Sequence, residues 1–198
     1  MITGRTWMVP CLAVVLGACV SAPQRPDPGP RLQLDGYSFA SLNEPGWQLA
    51  GRAPARVVLG KPGTSPDETL IISAMLTRLT PLGTGESLAD YVKAAEERDT
   101  TDRFKTLIHT VVPYAGLGAR CARSHIVAED RQPHTRSKRA GHMILEIASI
   151  NCVHPDHPSV GVHITYSHRY YPGHQDPRFA HKADRIFGTL KFRALQGL

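Results

Sequence analysis

Histidines crowd the C-terminal quarter of this chain: His154, His157, His163, His168, His174 and His181. His154-Pro155-Asp156-His157 sets two imidazoles and a carboxylate within four residues. His163 or His168 could complete a nitrogen/oxygen set of the kind zinc or copper takes. Two features oppose that reading. Pro155 and Pro158 put the pair in a turn, where no regular element fixes side-chain direction. His163 and His168 are an odd number of residues apart on an extended run and so point to opposite faces. The spacing matches no recognised ligand pattern. The expectation is therefore a solvated turn and exposed imidazoles, with no cofactor; the metal candidates are His154, Asp156, His157 and His163. A periplasmic metal-binding protein using the His154–His174 cluster is the alternative reading.

Nucleophilic chemistry has weaker support. Gly63-Thr64-Ser65-Pro66-Asp67 lacks the second glycine of a nucleophile elbow. There is no His-Glu-x-x-His, phosphate-binding loop or dinucleotide fingerprint. A triad assembled in space from Ser65 or Ser167 with His163 and Asp156 is the remaining hydrolytic reading. The expectation is a non-enzymatic protein. Arg131, Arg136, Lys138 and Arg139, with His134 among them, form a basic run that could meet anionic lipid headgroups, glycan or an acidic protein. Its plainer role is to keep a loop soluble.

The remaining chemistry lies in the cysteines. Arg5 precedes an apolar run from Trp7 that closes on Leu16-Gly17-Ala18-Cys19, the layout of an export signal. With a cysteine at the cut, the segment resembles the lipobox of bacterial lipoproteins. That resemblance implies removal of residues 1–18, diacylation of Cys19 and retention on a membrane, facing the periplasm. The apolar run is shorter than the roughly 20 residues of a spanning helix, so the mature chain is expected to be anchored and not threaded. An ordinary secretory signal cut near Ala18 or Ala22 is the competing reading. Val20 in place of Asp leans towards the outer membrane, by analogy with enterobacterial sorting.

Cys11 falls inside the signal, which leaves Cys121 and Cys152 as an even pair in an oxidising compartment, where a disulfide is expected. The formal charge of +6 suits anionic neighbours or solubility, and export argues against nucleic acid. Residues 20–31 carry Pro23, Pro26, Pro28 and Pro30 with few apolar side chains, and read as an extended tether. The expected organisation is a signal at 1–18, a tether at 19–34 and one globular domain at 35–193.

The elements that position these residues follow from periodicity. Residues 56–60, 69–79 and 104–112 read as strands, the second apolar on both faces like a central strand. Leu88, Tyr91, Val92 and Ala95 mark a helix over about 85–98, with Thr84 as its expected N-cap. Residues 120–130 and 143–153 form a long hairpin. Setting Cys121 opposite Cys152 pairs Ser124 with Ser149, Ile126 with Ile147 and Ala128 with Leu145. One face is then apolar and the other mixed, and a one-residue slip would scramble both. Residues 160–171 form a further strand with Val162, Ile164, Tyr166 and Tyr170 on one face. Asp176-Pro177 opens a second helix over about 177–189, with Phe179, Ala183, Ile186, Phe187 and Leu190 in its stripe.

Strands, helix, strands, helix in that order predict an α+β domain with a mainly antiparallel twisted sheet. The closing Ala183-Asp184-Arg185-Ile186-Phe187-Gly188-Thr189-Leu190-Lys191-Phe192, the Glu86-Ser87-Leu88-Ala89-Asp90-Tyr91-Val92 helix and the early Gly46-Trp47 resemble the PsbP-like group of small α+β domains. The resemblance covers about residues 37–192, carries no catalytic residue and implies an accessory or assembly role. The combined expectation is a lipid-anchored cell-envelope protein that acts by binding or assembly.

Overall fold

A short polar-apolar alternation just before Tyr37 begins the fold. The computed structural model describes residues 28–195 except 81, 84, 99–101 and 140. The signal, Cys19 and residues 19–27 of the expected tether therefore lie outside the described residues. The tether's expected end does not behave as one: Arg31–Leu34 is strand β1, paired antiparallel with β2 (Tyr37–Ala40). Gly29 donates its N–H to the Ser41 carbonyl at 2.9 Å. A Cβ at Gly29 would lie 2.6 Å from the Leu42 backbone, so this close approach requires glycine.

The remaining elements are β3 (Gln48–Ala53), β4 (Arg56–Pro62), β5 (Thr69–Arg78), α1 (Leu88–Arg98), β6 (Phe104–Tyr114) and β7 (Cys121–Asp130). They are followed by β8 (Met143–His154), β9 (His157–Tyr170), α2 (Phe179–Phe187) and β10 (Lys191–Phe192). Seven strands form one antiparallel sheet in the order β3-β4-β5-β9-β8-β7-β6, and β1-β2-β10 form a second, smaller one. The fold is α+β, mostly antiparallel sheet with two helices. Among the described residues no helix is long and apolar enough to cross a membrane.

The β7–β8 register pairs Cys121 with Cys152, Ser124 with Ser149 and Ile126 with Ile147 along its whole length. The mixed face, not the apolar one, meets the main core. Cys121, Ala148, Ile150 and Cys152 are buried beneath α2 and the small sheet, with Tyr37, Phe39, Ile186 and Phe187. Ile126, Ile147 and Leu145 are only half-buried, because α1 covers the other end of their face. There Leu88, Ala89 and Val92 pack on Ala122 and Val153. The main sheet is thus the middle layer, with α2 and the small sheet on one side and α1 on the other.

Both helices are shorter than their apolar stripes predict. Thr84 lies outside the described residues, and the Ser87 hydroxyl caps α1 by accepting the Ala89 and Asp90 N–H groups at 3.1 and 3.4 Å. Asp176 accepts the Arg178 N–H at 2.9 Å, closing the turn that leads into α2.

Candidate functional site

Extended strands with side chains on alternating faces separate the histidines that the sequence places close together. His154, at the end of β8, is buried and not solvated as expected. Its Nε2 lies 2.9 Å from the Gly36 carbonyl and 3.1 Å from that of Arg193, and its Nδ1 accepts the Asp156 N–H at 3.2 Å. One imidazole thus joins the end of β8 to the β1–β2 turn and to the segment after β10, and both its nitrogens are occupied. Gly36, at φ 74°, makes the turn that brings its carbonyl there.

His157 is exposed at the start of β9, opposite His154. His163 lies on the α1 side of the sheet with its Nδ1 2.6 Å from Asn151 Oδ1, and burial lowers its pKa. Among the described residues no three His, Cys, Asp or Glu side chains converge to hold a metal ion. The hydrolytic set is scattered as well. Ser167 and His163 are four residues apart on one strand, about 13 Å, and Asp156 sits in the β8–β9 turn, beyond the other end of that strand from Ser167.

Cys121 and Cys152 are directly opposed and disulfide-bonded, with Cα atoms 4.0 Å apart. At the other end of the same hairpin, the basic loop is fastened where a freely solvated one was expected. Asp67, buried in the β4–β5 loop, accepts the Arg136 and Ser137 N–H groups at 2.5 and 3.0 Å. It also accepts the Ser137 hydroxyl and the Tyr171 hydroxyl. The Ser137 bonds, then Tyr171, hold the Asp67 carboxyl far below the usual carboxylate range. Arg139 lies 4.1 Å over the Tyr171 ring. Arg131 pairs with Glu129 at 3.5 Å, while Arg136 and Lys138 turn exposed side chains outward.

Next to this latch, on the α2 side of the sheet, lies a group of buried and half-buried ionisable side chains. Glu68, 1% exposed, accepts from Thr64 Oγ1 at 2.5 Å and from His174 Nδ1 at 2.6 Å. Burial alone would raise its pKa, but the Thr64, His174 and backbone N–H bonds outweigh it and hold the carboxyl low. Lys182, 8% exposed on α2, reaches Asp176 at 2.7 Å and Glu44 at 3.2 Å, and Lys61 reaches Glu44 at 3.1 Å. In Glu44 and Asp176 too, the lysines overcome the effect of burial, so both stay ionised. His168 stands on β9 beside this group at 5% exposure, and burial pushes its imidazole below the ordinary value.

Of these, Lys61, His168, His174, Asp176 and Lys182 line an open cavity of about 370 Å³ between α2, β9 and the β4–β5 loop. A second cleft, about 290 Å³, opens on the other flank of the α2 N-terminus between Phe179, Val112 and Tyr114, with the His125–Glu146 pair at 2.9 Å on its wall. Sequence reasoning did not single out Lys182, Glu68, Glu44 or Lys61. The available signal was His168, which shares the parity of Tyr166 and Tyr170 and so had to be a polar residue on a buried strand face. The chain matches no family model and no curated protein.

Proposed function

We propose that this chain is exported, acylated on Cys19 and held on the periplasmic side of a bacterial membrane, the outer membrane by its Val20. There its domain acts by binding or assembly and not by catalysis. The observation that carries the reading is the Cys121–Cys152 bridge between directly opposed strand residues. Such pairs persist in oxidising compartments, which are reached by chains with an export signal such as residues 1–19.

Two features support binding. The basic loop is held in one shape by Asp67, so the outward Arg136 and Lys138 offer an anionic envelope protein, glycan or lipid a pre-organised contact. The charges around the cavity beside α2 and β9 are paired with one another, which makes that surface a fixed template. Under the same proposal the domain is a PsbP-like α+β fold. Its support is the order of elements and the α2–β10 segment closing on the core.

Membrane fractionation tests the reading. The wild-type chain should sediment with membranes and be released by detergent and not by salt, whereas Cys19→Ala should be soluble or retain its signal. A wild-type chain in the soluble fraction would refute it.

A further inference from the structure

The cavity beside α2 and β9 has a feature that its structural pairs leave unexplained. His168 lines it, and His168 Nδ1 is buried without a hydrogen-bond partner. An orphaned polar atom of this kind is destabilising and calls for an explanation. Two more buried donors without partners, Tyr166 Oη and Trp47 Nε1, belong to the main core, with their rings 6.4 Å apart and Lys61 Nζ 6.0 Å from the Trp47 ring.

The cavity's chemistry limits what could meet them. Its volume falls within the range of small-ligand sites. Its charges are already paired: Lys61 and Lys182 with Glu44 and Asp176, and Glu68 with the His174 imidazole. A charged ligand would lose its hydration without gaining an unmatched counter-charge. What the wall does offer is hydrogen bonding of both senses at close spacing. The Lys61 and Lys182 ammonium groups have protons to spare and the Asp176 carboxylate lone pairs. His174, its Nδ1 fixed by Glu68, leaves Nε2 available. Pro62 and Leu70 add an apolar strip.

We propose that this cavity binds a neutral polyhydroxylated ligand, a sugar ring of an envelope glycan, with His168 as a ligand-binding group. Vicinal hydroxyls both donate and accept at the spacing of adjacent carbons, and the carbon faces of the ring suit the Pro62–Leu70 strip. The inference deepens the reading of the chain as an envelope binding module and rests on it.

The experiment is calorimetric titration of the detergent-extracted mature chain with chitotriose, maltotriose and cellotriose, with inorganic phosphate and spermidine as the charged comparisons. At least one neutral trisaccharide should bind saturably at one site and protect the amides of Lys61, Gly63, Thr64 and residues 174–176 from hydrogen exchange. His168→Leu removes an orphaned group, so its Tm should hold or rise while saccharide affinity falls tenfold or more. Lys61→Met, at a more exposed position, should weaken binding in the same direction. No saccharide binding, preferential binding of phosphate or spermidine, or undiminished binding by His168→Leu would each overturn the proposal. So would a His168→Leu chain that is destabilised, since the imidazole would then be structural. A chain that fractionates as soluble but binds saccharide contradicts the anchoring alone; an anchored chain that binds none contradicts only this inference.

Discussion

Breaking the Cys121–Cys152 bond should destabilise the domain more than any surface substitution. The bond closes a loop with a sequence separation of 31. Loop-closure entropy for a ring of that size corresponds to about 3.7 kcal/mol at 25 °C, from restriction of the unfolded chain. For a domain of this length, 1 kcal/mol shifts Tm by about 2–4 °C, so the loss should lower Tm by about 7–15 °C. Both cysteines lie in the core beside Ile150, so truncation adds a small packing loss in the same direction. Cys121→Ala and Cys152→Ala should each show the full effect and the double variant little more, because either single change already removes the bond. Thermal unfolding followed by circular dichroism measures it, with non-reducing peptide mapping of the wild type alongside. Two free thiols in the wild type, a shift below about 3 °C, or additive single effects would refute the reasoning.

Two further outcomes follow from the fastened loops. Because the Asp67 carboxyl is held low, the stability it contributes is fully present above its unfolded value of about 4 and declines as the pH falls from there towards its folded value; the protection of the Arg136 and Ser137 amides, corrected for the intrinsic exchange rate at each pH, should be smaller at pH 3 than at pH 6, and smaller at both pH values in Asp67→Asn. His154→Ala removes a buried imidazole that holds two carbonyls, so it should cost about 1–3 kcal/mol, and equimolar zinc should leave the wild-type Tm unchanged because both ring nitrogens are occupied; a zinc-induced rise lost in His154→Ala would restore the metal reading.

What the sequence made legible depended on the range of the interaction. The β7–β8 register could be read because two cysteines and two apolar alternations agree on one pairing, and α2 because Phe179, Ala183, Ile186 and Phe187 keep a helical stripe. β3 was hidden because it is exposed on both faces, so no alternation marks it. β1 has the alternation Arg31-Leu32-Gln33-Leu34, but the prolines before it suggested a tether. The small sheet joins β2 to β10 across most of the chain, a pairing no local pattern encodes, and the role of His154 depends on that closure. The cavity was hidden for the same reason: Glu44, Lys61, Glu68 and Lys182 come from four segments, and only His168 on a buried strand face hinted that a polar site had to exist.

The mass of the N-terminus tests most directly where the chain resides. Intact-mass measurement of the protein extracted from membranes should give a chain beginning at Cys19, heavier than its sequence by covalently attached acyl groups. A chain that begins elsewhere, or a Cys19 without lipid, would contradict the proposed anchoring.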